Sequence, residues 1–313
     1  MNLPAKRVIT HCMVCLLLAC LWPALTYARC LGVVTAGGGE DFWLRVQQGA
    51  MDAGEELLID VFTRGVKDES DALHQAKIID AIADRGCIGM VIAPNSPERD
   101  TQVMQLLSRG IPSVYVDRDP GGARKAAVLT DNFAAGELAA QTIVDMLPPK
   151  SRVGILRLAK NVPSTSEREA GFILHIEQAG HTIILDEYLG TTLSEANQNA
   201  YQALVGAPQL DALFTPNEST TLAVLRMRKR LNEHQAMLHV GFDTNPLFIE
   251  AIEKGKLSAI VIQQPRLMGQ TAVHTLYKIL RGHSVEPVIH TPTALVLPSN
   301  LEQYRTHFAP LKK

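Results

Sequence analysis

Aromatic side chains are scarce, at 5% of 313 residues, and tryptophan occurs only twice, at Trp22 and Trp43. A chain this poor in rings builds its interior from aliphatic residues, so a ring beside a turn stands out. An excess of one charge is also lacking, since 30 Lys and Arg face 32 Asp and Glu for a formal charge of −2. That excludes the basic field with which a protein gathers nucleic acid or an anionic membrane surface. Cysteine is sparse: five in all, with Cys12, Cys15 and Cys20 near the start. No GxSxG elbow or HExxH motif occurs, and no histidine pair backed by a carboxylate stands at metal-ligand spacing. Neither a metal nor an organic cofactor is expected. Low-complexity tracts are missing too, and 46% hydrophobic residues exclude disorder.

What is present begins with a targeting signal. Lys6 and Arg7 form a positive head, Val8 to Leu25 is mostly apolar, and Thr26-Tyr27-Ala28 suits cleavage after Ala28. Residues 1–28 therefore read as a signal peptide. A membrane anchor would need about 17 to 25 apolar residues, but His11, Pro23 and the three cysteines interrupt the run. A lipoprotein box, Leu17-Leu18-Ala19-Cys20, is the minor alternative, followed by a poor tether in Leu21-Trp22-Pro23. Cleavage would leave 28 basic and 32 acidic residues, a charge of −4, and two cysteines, Cys30 and Cys87.

Downstream, short apolar runs alternate with segments of helical period, the pattern of a parallel sheet covered by helices. Strands are expected at 31–36, 58–63, 87–93, 113–117, 152–158, 182–189, 211–215, 238–242, 257–263 and 293–297. Phe42, Val46, Gly49, Ala50, Ala53 and Leu57 recur at helical spacing, as do Leu138, Ala139, Thr142, Ile143 and Met146. Ala126 to Leu129 is too short to expect as a core strand. Pattern breaks at Thr130-Asp131-Asn132, Gln263-Gln264-Pro265 and His290-Thr291-Pro292 suggest three crossings between two discontinuous lobes. The lobes are 29–130 plus 264–290, and 131–263 plus 291–313. Cys30 and Cys87 each open a strand at the matching position. If those strands are neighbours in register, an oxidising compartment would bridge them.

Gly37-Gly38-Gly39 opens the first helix, but the spacing is not GxGxxG and Glu40 and Asp41 sit where a phosphate would have to bind. Phe42 and Trp43 follow, able to stack on a sugar ring or to belong to the core. In an open α/β sheet, ligands bind outside the carboxyl ends of the strands. Those ends deliver Glu40, Asp41 and Phe42, then Asn95, Asp117-Arg118, Ser164 to Arg168, Asn217-Glu218, Asp243 and Gln263. Carboxylates, guanidiniums and amides together suit a neutral polyhydroxylated ligand. Singly, each would pass as a helix cap or salt-bridge partner.

Taken in order, Val116-Asp117-Arg118, Thr130-Asp131-Asn132, Ser166-Glu167-Arg168 before Gly171-Phe172, Thr215-Pro216-Asn217-Glu218, Gly241-Phe242-Asp243 and Gln263-Gln264-Pro265 carry a family signature. Over about residues 31 to 300 the chain resembles periplasmic sugar-binding proteins of the ribose-binding type, relatives of the ligand-binding core of LacI-type repressors. No helix-turn-helix precedes the first strand. The resemblance implies the type I periplasmic binding protein fold, α/β with two doubly wound parallel-sheet lobes on a three-segment hinge. It implies a monomer in the periplasm that closes on a sugar or polyol and delivers it to the permease of an ABC transporter. It makes Asp117 and Arg118 grips of the first lobe, gives Arg168, Asn217 and Asp243 that job in the second, and puts Gln263 at a hinge. The first loop departs from the family, where asparagine often precedes the paired aromatics. Glu40 and Asp41 there suit extra hydroxyls or an amine, and argue against a sugar phosphate.

A sensory receptor presenting its ligand to a membrane kinase or chemoreceptor would use the same clamp. A secreted carbohydrate-active enzyme would need two carboxylates flanking the bond, one of them protonated. Arg118 and Arg168 are expected to hold Asp117 and Asp243 ionised, which argues for a binder and not an enzyme. Arg168 and Asp243 are expected at water-facing strand ends, so that the fold would survive their loss.

Overall fold

A computed structural model describes residues 30–231 and 237–310. The signal peptide, the lipoprotein alternative at Cys20 and Trp22 lie outside the described residues. The chain opens with β1 (Cys30–Thr35), α1 (Asp41–Leu57), β2 (Asp60–Gly65), α2 (Ala72–Asp84), β3 (Cys87–Ile92), α3 (Arg99–Ser108), β4 (Ser113–Val116) and β5 (Ala126–Thr130). It then runs through α4 (Asn132–Met146), β6 (Arg152–Arg157), α5 (Pro163–Gln178), β7 (Thr182–Tyr188), α6 (Leu193–Val205), β8 (Ala212–Phe214), α7 (Glu218–Arg230), β9 (Leu238–Phe242), α8 (Pro246–Glu253) and β10 (Ala259–Ile262). Last come α9 (Pro265–Leu280), β11 (Val288–Thr291), β12 (Ala294–Val296) and α10 (Leu301–Tyr304).

Two six-stranded sheets result, ordered β11-β5-β4-β3-β1-β2 and β12-β10-β9-β8-β6-β7. Apart from antiparallel β12 on β10, every pairing is parallel, so the two sheets repeat one plan. Burial follows position. Central β1 is buried at every residue, because helices cover both faces, whereas edge strand β2 alternates between exposed and half-buried. The chain changes sheets three times, between β5 and β6, between β10 and β11, and between β11 and β12, with breaks at the residues where the sequence pattern fails.

Each sheet carries a helix pair locked by glycine. A Cβ on Gly49 of α1 would stand 1.8 Å from the Arg266 carbonyl oxygen of α9, and one on Gly269 of α9 would stand 1.9 Å from that of Val46. The second lobe repeats the device with Gly136 of α4 against Arg168 and Gly171 of α5 against Phe133. Only a residue without Cβ lets two helix backbones approach so closely.

Several expectations need correction. Ala126 to Leu129 does form a core strand, β5, because it is paired on both sides, by β4 and by β11. β11 itself was unforeseen. Its exposed Val288 and half-buried Ile289 mark an edge strand with no continuous apolar run. Met146 is exposed, since α4 turns the small residues Ala135, Gly136, Ala139 and Ala140 inward to meet α5. Cys30 and Cys87 are joined by a disulfide, with Cα atoms 4.4 Å apart on neighbouring β1 and β3. The register then slips by one, so that Leu31 faces Gly89 and not Ile88. On the chain-entropy account, a bridge closing a loop of this length contributes about 4 kcal/mol.

Candidate functional site

The carboxyl ends of the two sheets face each other across a cleft, and Glu40, Phe42, Trp43, Glu69, Asp117, Arg118, Ser164, Arg168, Asn217, Glu218, Asp243 and Gln263 line its inner cavity. Two aspartates define the plan. Asp117 leaves β4 with φ of 66° and Asp243 leaves β9 with φ of 69°, a region that non-glycine residues enter rarely. Each backbone N–H donates to the neighbouring strand at 2.9 Å, Asp117 to Val128 and Asp243 to Val261. The equivalent strand of each lobe thus ends in the same kink, which turns a carboxylate into the cavity.

Hydrogen bonds fix these carboxylates. Asp243 accepts from Gln263 Nε2 at 2.6 Å and from the Glu218 N–H at 2.9 Å. Gln263 in turn accepts from Thr130 Oγ1 at 2.5 Å, which ties the first two crossings to the site. Asp117 lies 3.4 Å from Arg118 Nε and accepts from Ser164 Oγ of the other lobe at 3.3 Å. Arg118 also pairs with Glu69, whose other oxygen accepts from Trp43 Nε1 at 2.6 Å.

Arg168 is 2% exposed, with its guanidinium 3.6 Å from the centre of the Phe242 ring. It donates to the Pro216 carbonyl and, at 2.7 Å, to Asn132 Oδ1. Side chain and strand end are therefore mutually braced, and Arg168 lies buried on α5, contrary to the expectation of a water-facing strand end. Among the described residues the buried Nε atoms of Arg118 and Arg168 make no hydrogen bond, that of Arg118 having only its 3.4 Å ion-pair contact with Asp117. Such groups are costly and normally find an acceptor.

Burial works against the expected ionisation. Loss of water outweighs the two guanidiniums and pushes Asp117 up to about 6, and Asp243 is raised for the same reason. Glu218 is pushed up to about 8, again by burial, although Asn245 Nδ2 donates to it at 2.8 Å and the Phe42 N–H at 3.1 Å. That last bond crosses the cleft from the N-terminus of α1, as does a longer one from the Asp41 N–H at 3.4 Å. Thr191 reaches Asp68 across the same gap at 3.5 Å.

The sequence-derived residues are not all gathered here. Phe42 and Trp43 meet edge to face with ring centres 4.8 Å apart, and serve the core and the cavity wall at once. Asp41 pairs with Arg45 at 2.5 Å and faces the outer groove beside Lys67 and Leu193. Asn95 lines the outer cleft with Ser70 and Lys160, and its backbone N–H donates to Gln75. Asn217 caps α7 by accepting from the Thr220 N–H at 3.2 Å while also lining the cavity. Sequence reasoning missed Glu69 because it passed over the end of β2. The acidic loop Asp68-Glu69 after that strand was the available signal.

Two equivalent sheets, three crossings and a polar cavity between the strand ends define a two-lobed solute receptor. The periplasmic binding protein domain family matches residues 31–284, and the chain belongs to that family. It is 29% identical over 234 residues to the ribose import binding protein RbsB of Bacillus subtilis, covering 72% of this chain and 74% of that one. It is 25% identical to the D-ribose/D-allose-binding protein of Pseudomonas aeruginosa, over 85% and 88% of the two chains. Among solved structures, the periplasmic component of an ABC-type sugar transport system from Hahella chejuensis aligns with a TM-score of 0.81 and 31% identity, covering 85% and 99%.

Proposed function

We propose that this protein is the periplasmic solute-binding component of an ABC-type sugar transporter, capturing a sugar or polyol between its lobes and passing it to the permease. The observation that carries this reading is the pair of left-handed aspartates, each delivered with an arginine to one buried cavity. The Nε atoms of Arg118 and Arg168, which make no hydrogen bond among the described residues, would donate to ligand hydroxyls, and the carboxylates would accept from them. Phe42 and Trp43 would pack on the apolar face of the ring. Asn217 and Gln263 complete the contacts in the cavity, while Asn95 and Asp41 act from its rim.

In this reading residues 29–130 plus 264–290 move against 131–263 plus 291–313, about joints near 130, 263 and 291. The receptor works as a monomer in the periplasm, without cofactor, and returns its ligand chemically unchanged. Two of the relatives named above are named for sugar import or transport, which favours uptake over sensing.

Trp43 is the only tryptophan after residue 28, so its emission reports on the cavity. Titration calorimetry over pentoses, hexoses and polyols should find a ligand that binds with one-to-one stoichiometry and shifts that emission. A ligand at 100 times its Kd should add about 2.7 kcal/mol to stability. Failure of every sugar and polyol to bind would refute the reading, and recovery of a chemically altered sugar would show an enzyme instead.

A further inference from the structure

The cavity carries more acid than a neutral sugar requires. Five carboxyl groups line it, from Glu40, Glu69, Asp117, Glu218 and Asp243, against two guanidiniums, from Arg118 and Arg168. The pairing is lopsided as well. Arg118 takes both Glu69 and Asp117, while Arg168 spends its NH groups on the Pro216 carbonyl and Asn132. Glu218 is satisfied by neutral donors, the amide of Asn245 and the amides at the start of α1. Glu40 makes no ion pair among the described residues, and burial raises its carboxyl, with the nearby Glu69 carboxylate pushing it further up.

Glu40 is also placed to meet a ligand. It stands at the N-terminus of α1 but makes no side-chain capping bond there, so the helix does not explain it. A Cβ on Gly37 would meet the Glu40 carboxylate at 2.6 Å and the Trp43 ring at 2.5 Å, so acid and indole share one wall of the cavity. The Nε atoms of Arg118 and Arg168, on side chains 5% and 2% exposed and without a hydrogen bond among the described residues, separately offer donors to a ligand's acceptors.

We propose that the ligand is a sugar or polyol carrying a protonated amine, with the hydroxyls on the arginines and the ammonium group on the Glu40 and Glu69 side of the cavity. An ammonium there would form charge-assisted hydrogen bonds to carboxylates that otherwise lack a cation or share one. The inference rests on the sugar-receptor reading and narrows its ligand class.

The test is calorimetry on the exported protein with D-glucosamine, D-galactosamine and D-mannosamine. Each is set against its parent hexose and its N-acetyl derivative, beside a panel of neutral pentoses, hexoses and polyols. The expected result is an amine that binds at least tenfold tighter than its parent and loses that advantage on acetylation. Glu40→Gln, which keeps the shape of a side chain that caps nothing, should narrow the amine-to-parent ratio at least fivefold. A neutral sugar or polyol as the tightest ligand overturns the inference and leaves the receptor reading intact. An unchanged ratio in Glu40→Gln overturns the placement of the amine. If no sugar of either kind binds, the receptor reading falls and the inference with it.

Discussion

At Asp117 and Asp243 a side chain is held in a backbone region that costs about 1–3 kcal/mol elsewhere, and the same kink occurs in both lobes. Asparagine and aspartate bear that conformation better than other branched or bulky residues, so the two substitutions of Asp243 separate strain from binding. Asp243→Asn keeps the kink but sets an NH2 against Gln263 Nε2 or the Glu218 N–H, both donors. Its sugar affinity should fall tenfold or more, about 1.5–3 kcal/mol, with the fold retained by circular dichroism. Asp243→Ala should lose affinity and also unfold at lower denaturant. The residues at these strand ends were legible because the βα plan fixes where loops gather. Their electrostatics were not. Counting arginines near aspartates captured only the influence that holds their carboxyls down, since the burial that pushes them up appears only when both lobes are in place.

At the scale of elements, the interlocked glycines matter more than any apolar stripe. Gly269→Ala would drive a methyl into the Val46 carbonyl and part α1 from α9, at a cost of about 1–3 kcal/mol in urea denaturation. Gly282→Ala, at a positive φ with open space around it, should cost backbone strain alone and serves as a comparison. The strands of both sheets were readable as apolar runs bounded by polar turns. β5 and β11 were not, because short strands gain their stability from partners distant in sequence, and β11 finds its partner 161 residues away, Val288 opposite Ala127. The register slip after Cys30 was equally hidden, since a bulge leaves the hydrophobic pattern of each strand intact.

For the whole molecule, buried acids set the response to pH. Burial pushes Glu169 up to about 7 and Glu218 up to about 8, while the same groups titrate near 4.5 once unfolded. Between pH 6.5 and 8.5 the folded protein therefore holds more protons than the unfolded chain, and stability falls as pH rises. Buried His239, lowered to about 3, stays neutral in the folded protein, and it opposes the trend only at the acid end of that window, where the unfolded imidazole still carries part of a proton. The melting temperature of the ligand-free protein should drop steadily from pH 6.5 to 8.5, and a rise would show that these carboxyls are ionised in the folded state.

The first sheet draws one of its two edge strands, β11, and one of its covering helices, α9, from residues that follow the last parallel strand of the second sheet, β10. A ribosome must therefore pass β10 and reach β11 before the first lobe has all its parts. Until then α1 lacks the backbone it nests against, and β5 has a bare edge. A polypeptide that postpones its own closure in this way stays threadable through a narrow pore for longer, which is what export directed by the signal expected at residues 1–28 would require.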